Sequence, residues 1–175
     1  MNEVLNTIAK RYSCRSFTNQ PVENEKIEAI ALAAIQAPSA VNKQPWQIIV
    51  IKDKTLIDEM DIYGMTQLDE VSHQRIMGRG GKLFYNAPLL VVIAKNGNKD
   101  LDCGIVAQNI TLAATSLGLG NVVCALAGAV FNNENYRKKI LPKDYDFAIS
   151  VLIGYPSEST GTPHAVDLNK ISYIG

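Results

Sequence analysis

Apolar positions along this chain change spacing several times, and each change marks an element. Val4, Leu5 and Ile8 recur at helical intervals up to Arg11, and Ile27, Ile30, Ala31, Ala34 and Ile35 do so again after Asn24, predicting two amphipathic helices. Phe17 to Pro21 reads as an extended link, because Pro21 disfavours helix at the residue before it. At Trp46 the period is lost, and Ile48-Ile49-Val50-Ile51 predicts a short buried strand over 46–52. A further helix is expected over 54–63, and the stretch 64–81 carries mixed signals, among them Gly78-Arg79-Gly80-Gly81. Asn86-Ala87-Pro88 then leads into Leu89-Leu90-Val91-Val92-Ile93-Ala94, whose unbroken apolar character predicts a central strand covered on both faces. Asn96-Gly97-Asn98 turns the chain.

The second half opens with Asp102 as expected cap of a long helix to about Leu117. That helix is apolar around most of its circumference and needs cover beyond a sheet, for which a partner subunit is one source. Gly118 and Gly120 are read as its stop, Val122 to Leu126 as a strand, Asn133 to Ile140 as a short helix and Phe147 to Gly154 as the last core strand. The tail after Pro156 is polar until Ile171-Ser172-Tyr173-Ile174, long for an unanchored end. No charged residue occurs between Cys103 and Asn133, but Gln108, Asn109, Thr111, Ser116 and Asn121 interrupt that run, so soluble structure is expected rather than a membrane span.

With 175 residues, 47% hydrophobic and 19% charged, the chain fits one globular domain over 1–175. Lys plus Arg and Asp plus Glu both number 17, leaving no net field to gather nucleic acid or an anionic membrane. Cys14, Cys103 and Cys124 form no CxxC pair, and Met1-Asn2-Glu3 does not open a secretory leader, so a reducing cytoplasm is expected. His73 and His164 lack a second ligand at i+3 or i+4, and no metal site is indicated. Gly118-Leu119-Gly120 closes a helix instead of opening one, which excludes a dinucleotide fingerprint, and Gly78-Arg79-Gly80-Gly81 lacks the Walker ending. The latter is read as a mobile connection or as a lid with Met65, Met77, Phe84 and Tyr85 as apolar cover.

Two segments carry candidate chemistry. Arg11, Ser13 and Arg15 put two permanent cations and a hydroxyl within five residues where the first helix runs out, a set that suits a phosphate; an ordinary solvated basic helix end is the other reading. The cysteines are read as filling space rather than reacting, with Cys14 between the arginines the one candidate for a lowered pKa. Pro38-Ser39-Ala40-Val41-Asn42-Lys43-Gln44-Pro45-Trp46 presents amides able to read a planar heterocycle or ribityl hydroxyls, or else is a turn with a core tryptophan as anchor.

In order, Arg-x-Ser-x-Arg-x-Phe followed by Ala-Pro-Ser-Ala-x-Asn-x-Gln-Pro-Trp resembles the nitroreductase family of flavoenzymes. The resemblance extends to Ala87-Pro88 before a strand, to Ser116-Leu117-Gly118-Leu119-Gly120 and to Ile153-Gly154-Tyr155-Pro156. It implies an α+β fold, with a central mostly antiparallel sheet flanked by helices, in an intertwined homodimer holding one FMN at each of two interface sites.

By the same resemblance Arg11, Ser13 and Arg15 contact the FMN phosphate, ribityl chain or pyrimidine edge, Pro38, Ser39 and Asn42 approach from the other subunit, and Gln67 and Lys82 reach the pyrimidine. A backbone amide near Leu126, Ala127 and Gly128 faces flavin N5. The implied reaction is ping-pong: hydride passes from NADH or NADPH through N5 to a small planar acceptor such as a nitroaromatic or quinone, with no catalytic side chain. Two departures favour an alternative flavin-binding or storage protein with little turnover. Ala127 stands where many relatives have an acidic residue, and Thr160-Gly161-Thr162-Pro163-His164-Ala165 lacks their phosphate-binding cation, leaving His164 as substitute.

Overall fold

The computed structural model describes residues 2–157 and 161–175; Met1 and Thr160, which figure in the sequence reading, lie outside them. Six α-helices and four strands are found among the described residues: α1 (Glu3–Lys10), α2 (Asn24–Ile35), β1 (Trp46–Ile51), α3 (Lys54–Thr66), α4 (Glu70–Met77), β2 (Leu89–Lys95), α5 (Asp100–Ser116), β3 (Gly120–Val123), α6 (Glu134–Ile140) and β4 (Asp146–Gly154). A 3-10 helix over Ala125–Asn132 links β3 to α6. The four strands form one antiparallel sheet in the order β1-β2-β4-β3, as expected of an α+β protein.

The apolar run at β2 is central because it serves two cores. Leu90, Val92 and Ala94 pack with Ile57, Met60, Leu83, Phe84, Ala127 and Val130 on one face. Leu89, Val91 and Ile93 pack with Ile30, Ala34, Trp46, Val106 and Ile110 on the other. Period-two alternation therefore feeds both layers, and from Leu89 to Ala94 no polar position is left for solvent. β1 is equally apolar yet lies at the sheet edge, with Gln47 exposed and Ile48 to Val50 half-buried, so it is not the buried strand expected.

Caps set the helix starts: the side chains of Asn2, Asp53, Asp69 and Asn133 accept amides of the first turns of α1, α3, α4 and α6. Asp102 is not such a cap. Lys99 precedes α5, and Asp102 lies inside its first turn with its carboxylate turned to another loop. Gly118 does end α5, at φ +77°, where its left-handed conformation lets Leu119 N–H donate to Ala114 O at 2.9 Å. Gly120 instead opens β3, which stops at Val123, short of the expected Leu126. No helix of the described residues is long and apolar enough to cross a membrane.

Candidate functional site

Arg11 follows α1, and the chain then runs extended beside β3. Ser13 bridges Asn121 in parallel, and Cys14 N–H donates to Asn121 O at 2.9 Å. Contact this close requires glycine at position 120, where a Cβ would lie 2.8 Å from Cys14 Sγ and 2.9 Å from Pro156 Cγ. Further on, Phe17 N–H donates to Tyr85 O at 3.3 Å and Thr18 N–H to Tyr155 O at 2.9 Å. Both edges of this segment are therefore pinned, and alternate side chains face outward.

Arg11 and Ser13 are half-buried and Arg15 is exposed. Among the described residues neither arginine has a carboxylate partner, and Arg15 Nη1 reaches only Ser13 O, at 3.4 Å. The Ser13 hydroxyl is likewise without a described partner. Two uncompensated guanidinium groups and a hydroxyl on one fixed strand form a donor set without an acceptor, the arrangement a phosphate or an electron-rich ring edge would complete.

Cys14 between those arginines is fully buried, in line with the space-filling reading, and burial pushes its thiol up despite the Ser16 carbonyl, Tyr12 and Arg15, so the alternative of a lowered value does not hold. Cys14 belongs to the same core as Cys124 and Ala127, and the Ala125–Asn132 helix follows directly on β3, the strand Ser13 bridges. Ala127 is fully buried while Leu126 and Gly128 are half-buried. Burial also drives the Cys124 thiol up to about 11, with amide hydrogen bonds from Ala127 and Leu126 pulling the other way.

Lys82 joins this region through Asn86: Lys82 Nζ donates to Asn86 Oδ1 at 3.2 Å, and Asn86 Nδ2 donates to Phe17 O at 3.3 Å and Asn19 Oδ1 at 2.7 Å. Gln67, exposed at the end of α3, donates from Nε2 to Thr66 Oγ1 at 3.0 Å and from its backbone N–H to Gly64 O. Phe84 and Tyr85 belong to the core and are not a lid, whereas Met77 is exposed. The tail returns at Gly161, where a Cβ would lie 3.4 Å from Tyr12 Cδ2 and 3.5 Å from Ser13 O; His164, three residues on, is exposed.

The Pro38–Trp46 loop lies elsewhere. Ala40 N–H donates to Asp102 Oδ1 at 3.1 Å, Gln44 N–H to Ser39 Oγ at 2.9 Å and Gln44 Nε2 to Asn42 Oδ1 at 3.0 Å. Val41, Asn42 and Gln44 are all left-handed (φ 55°, 53° and 47°), and Val41 is 89% exposed. A β-branched residue in that region is strained, so the loop holds a shape that chain entropy alone would not choose. Trp46 is its core anchor.

This loop sits over the first turn of α5, while Asn121, beside Ser13, donates from Nδ2 to Thr111 O at 3.1 Å and Thr115 Oγ1 at 3.0 Å near the helix's other end. From Asp102 to Thr115 the axial rise is roughly 20 Å. The two segments therefore attach to opposite ends of α5. A hollow of about 510 Å³, lined by Leu32, Ile35, Gln44, Trp46 and Ile48, lies between α2 and β1, and none of Arg11–Arg15 lines it.

Sequence reasoning missed Asn121, Asn86 and Asp61, a buried carboxylate on α3 that accepts Phe84 N–H at 2.7 Å. Asn121 had registered only as a polar interruption of a charge-free run and Asn86 only as turn punctuation. No group of three or more His, Cys, Asp or Glu able to hold a metal occurs among the described residues.

Comparison with known proteins bears on this arrangement. The family model described as "Nitroreductase family" matches residues 8–155. A crystal structure of a nitroreductase with bound FMN from Desulfitobacterium hafniense DCB-2 superposes with a TM-score of 0.96 at 45% identity, covering 100% of both chains. An FMN-dependent nitroreductase from Clostridium difficile R20291 superposes with a TM-score of 0.84 at 27% identity over 99% of each chain. Among curated proteins, the FMN reductase [NAD(P)H] of Bacillus subtilis is 29% identical over 90% of this chain and 68% of its own.

Proposed function

This chain belongs to the nitroreductase family, and we propose that it acts as an FMN-dependent NAD(P)H oxidoreductase, one domain over 1–175 working as a homodimer. The observation that carries the reading is the fixed, uncompensated donor set of Arg11, Ser13 and Arg15, which fits the phosphate and polar edge of FMN. When bound, FMN supplies the redox chemistry, accepting hydride at N5 from NADH or NADPH and returning electrons to a small planar acceptor such as a nitroaromatic or quinone.

In this reading Arg11 and Arg15 offer guanidinium forks to the phosphate or pyrimidine edge and Ser13 adds its hydroxyl. Lys82, oriented by Asn86, and Gln67 supply donors to the pyrimidine, and the first amides of the Ala125–Asn132 helix, around Leu126, Ala127 and Gly128, line the N5 side. His164, three residues beyond Gly161, would add positive charge when protonated. One open face would serve donor and acceptor in turn, a ping-pong order, with aromatic stacking holding each ring.

The separation of the two motif segments along α5 supports the homodimer. Pro38, Ser39 and Asn42 would complete the site from a second copy, since their own chain ties their loop to the first turn of α5 while Ser13 lies beside Asn121 near the other end of that helix. The apolar face of α1, with Val4 64%, Leu5 50% and Ile8 48% exposed, the open edge of β1, and the tail's exposed Ile171, Tyr173 and Ile174 offer surfaces for that copy to cover.

Anaerobic stopped-flow mixing of the holoprotein with NADH and with NADPH is the test. Bleaching of the flavin absorption bands by at least one nicotinamide is expected. Flavin retained but bleached by neither would overturn the reductase reading in favour of a flavin-storage protein.

A further inference from the structure

Asp61, on α3, is only 7% exposed, and its carboxylate accepts Phe84 N–H at 2.7 Å across 23 residues of sequence. A carboxylate taken out of water is retained only where donors hold it, and this donor is a main-chain amide at the start of an irregular turn. Burial pushes the Asp61 pKa up, with Phe84 N–H, Lys82 and Lys54 opposing and Asp58 adding to the rise. α3 lies tightly on the same turn, since a Cβ at Gly64 would come within 2.5 Å of Leu83 Cδ2.

The turn is strained where it leaves Asp61. Tyr85 and Asn86 are left-handed at φ 50° and 66°, closed by Tyr85 N–H to Lys82 O at 3.2 Å and Ala87 N–H to Phe84 O at 2.8 Å. Asparagine tolerates that conformation, whereas a buried tyrosine adopts it only where its surroundings impose it. The strained pair then grips Phe17 from both sides: Tyr85 O accepts Phe17 N–H and Asn86 Nδ2 donates to Phe17 O, while Asn86 Oδ1 holds Lys82. Phe17 is two residues beyond Arg15.

We propose that Asp61 is a positioning residue: by holding the Phe84 amide it locks the strained Lys82–Ala87 turn, and that turn clamps Phe17 and sets where Arg15 and Lys82 stand. The consequence for flavin rests on the proposed function; the clamp itself does not. Asp61→Asn keeps an acceptor oxygen and loses the charge, whereas Asp61→Leu removes the acceptor. Asn86→Ala breaks the same chain further on at a half-buried position, and so tests the clamp even where the leucine variant does not fold.

Two readouts separate the clamp from the flavin reading. In apoprotein, hydrogen exchange at the Phe17 amide is expected to accelerate about tenfold or more in Asp61→Leu and Asn86→Ala and to stay within about twofold of the unsubstituted protein in Asp61→Asn. FMN titrations, followed by quenching of flavin fluorescence, are expected to follow the same order. Unchanged Phe17 exchange in folded Asp61→Leu or in Asn86→Ala overturns the clamp, as does an asparagine variant as damaged as the leucine one. Exchange in the expected order from a protein that binds no FMN leaves the clamp standing and overturns the flavin reading.

Discussion

The Asp102 carboxylate accepts the Ala40 amide at 3.1 Å, tying the first turn of α5 to the loop before β1. That loop carries three left-handed residues without glycine, so its conformation must be imposed by such contacts. Asp102→Ala is expected to cost about 1 kcal/mol of stability through the lost hydrogen bond. It should also raise the Kd for FMN by releasing Ser39 and Asn42, while Asp102→Asn, which retains an oxygen acceptor, should do neither. Thermal melts and flavin-fluorescence titrations of the two variants measure this directly.

Arg11→Ala removes a cation and no core volume. The expected outcome is an apoprotein with unchanged Tm and a Kd for FMN raised about ten- to a hundredfold, the range of a lost charge-assisted hydrogen bond. Unchanged flavin affinity by equilibrium titration would remove Arg11 from the site.

What could be read from the residues alone was whatever is encoded locally. The run Leu89–Ala94 specifies a strand covered on both faces and was legible, whereas Arg11, Ser13 and Arg15 on spacing alone read as an ordinary basic helix end and became a candidate site only in order with the Pro38–Trp46 loop. β1 has as apolar a run, but edge or centre is decided by which strands pair, and that is not written in Ile48–Ile51. β3 ends early because the chain turns at Cys124 into a 3-10 helix, where Val122–Leu126 offers no change of pattern. Asp61 and Asn121 act on partners far along the chain or on neighbouring elements, and a lone polar residue in an apolar stretch gives no sign of its partner. At Cys14 the space-filling reading holds and the alternative of a lowered pKa from the flanking arginines does not, because its side chain packs into the core while theirs do not.

The cysteines accordingly should be inert in the folded protein. Cys103 and Cys124 are pushed up to about 11 and Cys14 is raised, in each case chiefly by burial. At pH 8 a thiol with pKa 11 is roughly 0.1% thiolate, so alkylation by iodoacetamide should be slow until denaturant is added, when all three react. Because the folded-state values lie above the unfolded one, these groups favour unfolding as pH rises past about 8.5. Denaturant midpoints should fall between pH 8.5 and 11. Rapid labelling of any of the three in native protein at pH 8 would contradict the burial assigned to it.

Gly120→Ala puts a methyl group 2.8 Å from Cys14 Sγ and 2.9 Å from Pro156 Cγ, where neither neighbour is the far end of a flexible chain. The expected cost is about 1–3 kcal/mol, with weaker FMN binding because the segment carrying Ser13 is pushed off β3. Adding Cys14→Ala removes the sulfur that the new methyl meets, so the double variant should recover part of the lost Tm. Additive losses in that cycle would show that the close approach at Cys14 is not the cause.

The homodimer makes a prediction that joins assembly to cofactor. Leu5 is half exposed on a helix whose other apolar residues, Val4 and Ile8, are exposed as well. In an isolated chain Leu5→Glu would place a charge in water at little cost, since surface substitutions usually change stability by under about 0.5 kcal/mol. In a dimer that covers α1 the same carboxylate would be buried without a partner, and association would weaken by several kcal/mol. Light scattering after gel filtration should therefore show Leu5→Glu shifted to monomer. Flavin should be lost with it, because Arg11–Arg15 would no longer meet Pro38, Ser39 and Asn42 from a second copy. Diluting the unsubstituted holoprotein through its dimer dissociation should release FMN over the same concentration range. A monomer that keeps stoichiometric flavin would mean that one chain suffices, although its two motif segments attach to opposite ends of α5.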